Sequence, residues 1–254
     1  MNPKTVLITG VAGFIGSHLS DSLLAKGYAV VGVDNFQTGF IQNLKNSMSY
    51  PEFKFIKADV NNFNEISPIF YTFKPNFIYH YAATVGVKRT LENPLQVLND
   101  IDGIKNLLLL SKSTSLEKVL FSSSSEVYGE PVTLPQNEST TPLNSRLPYA
   151  VVKNLGEVFL QTYKKEYNLT YTIFRFFNTF GPRQSENFVI SKFIKSALKN
   201  EPINLYGDGS QTRTFCHIKD NVNATTQAIE NPLFNNKIIN IGSEKEITIK
   251  ELAE

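Results

Sequence analysis

Short β-branched segments alternate with longer helical segments between residues 5 and 176, and this alternation limits the possible folds more than any other feature of the sequence. The predicted strands are Thr5–Thr9, Ala29–Val33, Phe53–Ile56, Phe77–Tyr79, Val119–Phe121 and Tyr171–Phe176. The main predicted helices in this part of the chain are Phe14–Lys26, Pro94–Ser111 and Tyr149–Tyr167. Strands that alternate with helices favour an α/β fold in which a parallel sheet is covered by helices on both faces.

The pattern changes after Asn178. Gly181-Pro182-Arg183 interrupts the alternation, and a further helix is predicted at Phe188–Lys199. We therefore expect residues 1–177 to form one domain, and residues 178–254 to form a smaller substrate-binding lobe that is interleaved with the first.

The chain stops where a helix is predicted to start. Thr248 is a suitable N-cap for a helix that begins at Ile249. Since a domain rarely ends where a helix begins, we expect the lobe to be truncated at its C-terminus.

Composition excludes several classes of function. The 25 Lys and Arg residues nearly balance the 23 Asp and Glu residues, and no long basic run exists, so we expect neither nucleic acid nor a membrane surface as a partner. A single cysteine, Cys216, excludes an internal disulfide. His18, His80 and His217 lack metal-ligand spacing, so we expect no metal. No signal segment and no apolar run of about 20 residues is present, so we expect a cytoplasmic protein.

Three glycines recur where the first predicted strand meets the first predicted helix. Gly10, Gly13 and Gly16 have the spacing G-x-x-G-x-x-G, a variant of the fingerprint of dinucleotide-binding proteins. Glycines let the backbone turn tightly and approach a pyrophosphate, and the N-terminus of the helix offers free N–H groups and the positive end of its dipole. The turn therefore predicts a site for a dinucleotide.

An acidic residue at the end of the second predicted strand specifies which dinucleotide. Asp34 can accept both ribose hydroxyls of adenosine and would repel a 2′-phosphate, so NAD is favoured over NADP. Asp59, after the third strand, could accept a hydrogen bond from the adenine amino group, although a simple turn role is nearly as plausible.

A tyrosine and a lysine four residues apart form the candidate catalytic pair. Tyr149 and Lys153 begin a predicted helix and share one of its faces. A nearby ammonium favours the phenolate, so Tyr149 is a candidate general base. Tyr50 and Lys54 have the same spacing, but Pro51 and the strand that follows argue against a helix there, and we reject that copy.

Several segments taken together resemble the extended short-chain dehydrogenases known as the NAD-dependent epimerase/dehydratase family. The resemblance spans almost the whole chain. The segments that carry it are residues 8–19, Asp34-Asn35, His80-Tyr81-Ala82-Ala83, residues 123–129, Tyr149-x-x-x-Lys153, residues 175–183 and residues 206–213. The family resemblance implies a Rossmann-type doubly wound sheet with a smaller C-terminal lobe, NAD as a recycled redox agent, a nucleotide-diphosphate sugar such as a UDP-sugar as substrate, and a homodimer.

The resemblance also implies roles for individual residues. Tyr149 would be the base, Lys153 would bind the nicotinamide ribose, and Ser124 would assist at the sugar hydroxyl. The implied cofactor-binding residues are Gly10, Gly13, Phe14, Ile15, Gly16, Asp34, Asn35, Asp59, Val60, Ala82, Ala83, Ser122, Tyr149, Lys153 and Phe177. The implied substrate-binding residues are Thr84, Ser124, Asn178, Tyr206 and Arg213.

The sequence departs from the family pattern in one place. Asp100-Ile101-Asp102-Gly103 stands where members usually carry Asn-x-x-Gly, so an acid replaces the asparagine that helps to position the active-site backbone.

Three family reactions begin with oxidation at the sugar C4, and the sequence leaves more than one open. Ser125-Glu126 matches the pair that the UDP-glucuronate decarboxylases carry at this position. The dehydratases usually carry Asp-Glu there, and this chain lacks that aspartate. Residues 83–87 resemble the substrate loop of the 4-epimerases. We predict a UDP-hexose 4-epimerase that works through a 4-keto intermediate. A decarboxylase in which Glu126 is catalytic is the alternative, followed by a 4,6-dehydratase or a non-catalytic nucleotide-binding protein.

Overall fold

The computed structural model describes residues 3–85, 90, 92–130, 132, 134–205 and 207–254. Its central feature is a parallel sheet of seven strands. These strands are β1 (Thr5–Thr9), β2 (Ala29–Asp34), β3 (Phe53–Lys57), β4 (Phe77–His80), β5 (Lys118–Ser124), β6 (Tyr171–Phe176) and β10 (Lys237–Ile241). Their spatial order is β3-β2-β1-β4-β5-β6-β10. This order confirms the predicted doubly wound sheet of the Rossmann type: β2 and β3 are added on one side of β1, and β4, β5 and β6 are added on the other side, so the strand order reverses between β1 and β4.

Helices cover both faces of the sheet. In the described ranges the helices are α1 (Phe14–Ala25), α2 (Phe63–Phe73), α3 (Pro94–Asn99), α4 (Ile101–Ser111), α5 (Pro148–Tyr167), α6 (Val189–Leu198), α7 (Ile218–Gln227) and α8 (Ile249–Ala253). Leu107 of α4 and Leu160 of α5 pack on one face of the sheet, and Leu19 of α1 packs on the other. None of the helices in the described ranges is long and apolar enough to cross a membrane.

The prediction of one continuous helix over Pro94–Ser111 is wrong, because the chain breaks it into α3 and α4 at Asp100. The side chain of Asp100 accepts a hydrogen bond from the backbone N–H of Thr84 in a neighbouring loop. An aspartate whose side chain bonds to backbone groups outside its own helix disfavours a continuous helix at its position.

The C-terminal segment contributes to the main sheet and to smaller ones. β10 pairs with β6 at the edge of the main sheet. Two further pairs are formed by short strands: β7 (Thr179–Phe180) with β9 (Cys216–His217), and β8 (Thr212–Thr214) with β11 (Glu246–Thr248). Thr248 caps α8 and exchanges hydrogen bonds with Glu251, which confirms the predicted cap.

Candidate active site

The glycine-rich turn lies between the carboxyl end of β1 and the start of α1, at the point where the strand order reverses. Gly10 has a φ of 74°, and a Cβ at this residue would lie 2.7 Å from the backbone nitrogen of Ala82. A Cβ on Gly16 would overlap the carbonyl oxygen of Gly10. Gly13 is the N-cap of α1 and has no side chain to cover the first-turn N–H groups. The turn is therefore a cradle that fits a pyrophosphate.

Asp34 ends β2 beside this cradle and is 8% exposed. Its Oδ2 accepts the Ala12 N–H at 2.9 Å and its Oδ1 accepts the Phe36 N–H at 2.8 Å. Burial raises the pKa of the Asp34 carboxyl above its usual range, and the two N–H donors oppose that effect. Each oxygen keeps a second lone pair, so the carboxylate can still accept ribose hydroxyls.

Asp59 lies across from Asp34, on the loop after β3. The Asn35 amide donates to Asp59 Oδ2 at 3.2 Å, and the Asn61 N–H donates to its Oδ1 at 2.9 Å. Val60, the next residue, is buried. The structure thus gathers Asp34, Asn35, Asp59 and Val60 at neighbouring strand ends, as a site for adenosine requires.

Tyr149 and Lys153 lie on the first turns of α5, above the carboxyl end of β5. The Lys153 Nζ lies 5.7 Å from the centre of the Tyr149 ring and donates a hydrogen bond to Ser122 Oγ at 3.3 Å. Ser124, the last residue of β5, lies close enough to the Tyr149 hydroxyl to lower its pKa. The structure therefore brings together the predicted base, lysine and serine.

Burial changes the proton affinities of this pair in opposite directions. It raises the pKa of Tyr149 to about 12, although the hydrogen bond from Ser124 lowers it in part. It lowers the pKa of Lys153 to about 8. Glu126 is exposed on the 3-10 helix Ser125–Tyr128, and its charge further raises the Tyr149 pKa. In this state Tyr149 is a phenol at neutral pH, and a nearby positive charge is needed to make it a base.

Two hydrogen-bonding contacts of Thr9, at the end of β1, were not predicted from the sequence. The Thr9 Oγ1 lies 2.8 Å from Nδ1 of His80, and it accepts the Ala82 N–H at 3.3 Å. Burial lowers the pKa of His80 to about 3, so the ring is neutral. The polar residues that end the apolar strands β1 and β4 could have indicated buried polar side chains, but nothing in the sequence pairs residues 9 and 80.

Three further residues predicted to bind the cofactor follow the ends of strands β4 and β6. Ala82 and Ala83 follow β4 and line a small cavity with Tyr149 and Lys153, and Phe177 follows β6 and packs against Gly242.

Asn178 and Arg213 belong to the C-terminal segment. The Asn178 amide donates a hydrogen bond to the Thr214 carbonyl at 3.1 Å. Arg213 is exposed on β8, and its Nη1 donates a hydrogen bond to the Thr212 carbonyl at 2.8 Å. Tyr206 lies outside the described residues.

Comparisons with known proteins agree with this geometry. A sequence model of the NAD dependent epimerase/dehydratase family matches residues 6–242. A putative UDP-glucose 4-epimerase of Methanocaldococcus jannaschii is 37% identical over 97% of this chain and 79% of its own length. The UDP-glucuronic acid decarboxylase 1 of Danio rerio is 36% identical over 99% of this chain, which spans 59% of that relative.

A solved structure is similar in fold as well. The UDP-glucuronic acid 4-epimerase of Bacillus cereus, in complex with UDP-glucuronic acid and NAD, superimposes with a TM-score of 0.87 at 33% identity, over 97% of this chain and 80% of its own. The family match confirms the resemblance read from the motifs and the prediction of NAD as the cofactor. This protein is therefore an enzyme of the NAD-dependent epimerase/dehydratase family.

Proposed function

We propose that this protein is a UDP-hexose 4-epimerase that works through a 4-keto intermediate. The observation that carries the proposal is the cluster of Tyr149, Ser124 and Lys153 beside the glycine cradle, because a base in this cluster could reach the C4 hydroxyl of a sugar bound next to a nicotinamide. Relatives named as 4-epimerases support the choice of reaction.

The residues present fit the cofactor. The cradle at Gly10, Gly13 and Gly16 would hold the pyrophosphate of NAD, and Asp34 would accept from the adenosine ribose. Lys153 would donate to the nicotinamide ribose. When bound, NAD supplies a reversible hydride acceptor next to the sugar C4.

Tyr149 carries the proton in this proposal. With NAD bound, the positive charges nearby, including the Lys153 ammonium, would lower the Tyr149 pKa towards neutrality, and the Tyr149 phenolate would accept the proton of the C4 hydroxyl as C4 is oxidised to the ketone. Ser124, which acts on the Tyr149 hydroxyl, would donate to the same C4 oxygen and help to align it. For epimerisation the 4-keto sugar would have to present its opposite face for reduction, and Tyr149 would then return its proton to the C4 oxygen.

The C-terminal segment is proposed to hold the UDP group. Arg213 is exposed, and a guanidinium is a planar, permanently charged partner for phosphate. The Asn178 side chain donates a hydrogen bond to Thr214, on the strand β8 that also carries Arg213. We assign Tyr206 and Thr84 to substrate binding as well. On this basis residues 1–177 form the NAD domain and residues 178–254 form the sugar-nucleotide lobe, which is interleaved with the first because β10 joins the main sheet.

Decarboxylation of UDP-glucuronate is the second candidate. The charge of Glu126 raises the Tyr149 pKa, so it would also act on the carboxylate of a uronic acid bound beside Tyr149. Two like charges about 4 Å apart repel by about 4 kcal/mol at an effective dielectric constant of about 20, which would favour loss of carbon dioxide. The decarboxylase relative supports this alternative.

The experiment gives the purified protein UDP-glucose and UDP-glucuronate separately. Chromatography resolves the epimers, and mass spectrometry detects loss of carbon dioxide. The variant Glu126→Gln is compared with Glu130→Gln, an exposed control that follows the 3-10 helix of Glu126. Epimers from UDP-glucose in all three proteins support the proposal. Carbon dioxide loss by the wild type that disappears only in E126Q would replace it with the decarboxylase, and no turnover of either compound would favour a nucleotide-binding protein.

We also propose a homodimer formed through α3, α4 and α5. These helices expose large apolar side chains: Leu95, Leu98, Leu109, Val151, Leu155 and Val158. A second copy of the chain would cover them. We retain a cytoplasmic location as a prediction; the free, buried Cys216 suits a reducing compartment.

A further inference from the structure

Asp100 lies at the joint between α3 and α4, with its carboxylate turned towards the active site. Its Oδ2 accepts the Thr84 N–H at 2.5 Å. Its Oδ1 accepts the Thr84 hydroxyl at 3.4 Å and the Asn61 amide at 3.3 Å. Donors from the loop after β4 and the loop after β3 therefore hold this carboxylate in one orientation.

The carboxylate borders the same enclosed space as the catalytic pair. Asp100, Tyr149 and Lys153 line a cavity of about 10 Å³, together with His80 and apolar side chains that include Phe121. In such a space charges are poorly screened, so groups that do not touch still influence each other.

The Lys153 ammonium has little local compensation. It is 3% exposed, its hydrogen bond goes to the neutral Ser122 hydroxyl, and it lies 5.0 Å from the Phe121 ring. Within the described part of the chain, no carboxylate forms an ion pair with it. Burial of an ammonium without a counter-charge favours loss of its proton.

Charged and titratable groups surround the pair on several elements. His80 of β4 is neutral, and Tyr149 shares α5 with Lys153. Glu126 acts on Tyr149 from the 3-10 helix. Asp100 acts on both members of the pair, since its charge raises the pKa of Lys153 and the pKa of Tyr149.

We propose that Asp100 is a positioning residue whose fixed negative charge keeps Lys153 in its ammonium form and thereby sets the pH range of catalysis. The inference rests on the proposed function for its kinetic consequence, but the charge state of Lys153 can be measured without turnover. Through Thr84, the same carboxylate also holds the loop that follows Ala83.

The substitution Asp100→Asn separates charge from shape. The asparagine oxygen can accept the Thr84 N–H, and the Asn61 amide can reverse to accept from the new side-chain nitrogen. The negative charge is lost. Tyr149 must lose a proton to act as the base and Lys153 must keep one, so both limbs of the pH profile move towards acid by about one unit.

The matched control is Asn61→Ser. It removes one donor to the carboxylate and leaves the negative charge in place. We expect this variant to change the height of the pH profile while both limbs stay near their wild-type positions. A merely structural role for Asp100 would make D100N behave in the same way.

The decisive readout is the titration of Lys153 itself. Purified proteins labelled with ¹³C at the lysine ε-carbon are titrated by NMR, and the Lys153 resonance is assigned by its absence in Lys153→Arg. The midpoint in D100N should fall about one unit below that of the wild type and of N61S. Asp100→Ser is the second neutral variant if D100N does not fold.

The outcomes are distinct. A Lys153 midpoint that is unchanged in both neutral variants overturns the inference, whatever the turnover. A lowered midpoint in a protein that turns over no UDP-sugar supports the charge assignment and counts against the proposed function alone.

Discussion

Glu157 and Arg175 form a two-contact ion pair inside the protein, between α5 and β6. Arg175 Nη2 donates to Glu157 Oε2 at 2.7 Å, and Arg175 Nε donates to Oε1 at 3.0 Å. The Arg175 Nη1 also donates to the Tyr128 hydroxyl at 2.9 Å, and Tyr128 donates to Asn240 Oδ1 at 2.7 Å. The pair thus joins β6 and β10 to the 3-10 helix that carries Glu126.

Loss of one charge of this pair should destabilise the fold strongly. The two side chains are 3% and 2% exposed, so Glu157→Gln leaves a buried guanidinium without its counter-charge. We expect the free energy of unfolding, measured by urea denaturation, to fall by about 3 to 5 kcal/mol. The double variant Glu157→Leu with Arg175→Met removes both charges and should lose less than the single variant. A double variant that is less stable than E157Q would contradict this reasoning.

Tyr149→Phe should abolish turnover and spare cofactor binding. The ring keeps its packing but loses the hydroxyl that Ser124 contacts, so we expect turnover to fall by at least about 10²-fold. Calorimetric titration should show NAD affinity close to that of the wild type. Tyr50→Phe is the matched control, since Tyr50 follows a 3-10 helix and its apparent partner Lys54 lies in β3. Wild-type turnover in Y149F would assign the base elsewhere.

NAD should bind more tightly than NADP. The Asp34 carboxylate is buried and held by the Ala12 and Phe36 N–H groups, so it cannot swing away from a 2′-phosphate. We expect at least about a tenfold preference, which corresponds to about 1.4 kcal/mol, measured by titration of both cofactors. Asp34→Asn should weaken NAD binding and reduce the preference. Tighter binding of NADP to the wild type would refute the assignment.

Stability should fall in acid because His80 is buried as a neutral ring. Its pKa is lowered to about 3 in the folded state, whereas an unfolded histidine titrates near 6.5. Between these values the unfolded chain binds a proton that the folded protein does not, so stability declines as the pH falls below about 6.5. The decline from pH 7 to pH 5 amounts to about 2 kcal/mol.

Urea denaturation of the wild type and His80→Asn at both pH values tests this. The difference at pH 7 gives the loss of packing and of the contact with Thr9, and the further change at pH 5 isolates the proton. The variant should lose less stability on acidification than the wild type. Equal losses in the two proteins would show that other groups cause the acid sensitivity.

A charge on the exposed face of α5 should disrupt the proposed dimer. Leu155 is 42% exposed and Val158 is 50% exposed. We expect light scattering to give a dimer for the wild type at micromolar concentration and a monomer for Leu155→Glu. Leu198→Glu, at the end of α6, is the control, because Leu198 is 80% exposed on a different helix and should leave the dimer intact. A monomeric wild-type protein at this concentration would contradict the proposed dimer.

Local elements of this protein were determined by the sequence alone. Strands β1 and β6 have their predicted bounds, and α8 begins at the predicted cap. The glycine turn and the helical Tyr149–Lys153 pair could be recognised because they depend on backbone freedom and on spacings of three or four residues. The same short-range rules excluded Tyr50 and Lys54.

Only the tertiary structure decided which distant polar groups meet. Asp100 is 16 residues from Thr84 and 39 from Asn61, and Glu157 is 18 from Arg175. No periodicity links such partners, because strand order and helix packing bring them together. Those contacts also broke the predicted helix at Asp100, where hydrogen bonds to a neighbouring loop outweighed the helical pattern. Proton affinities followed from the same burial, which lowers the pKa of Lys153 and raises that of Tyr149.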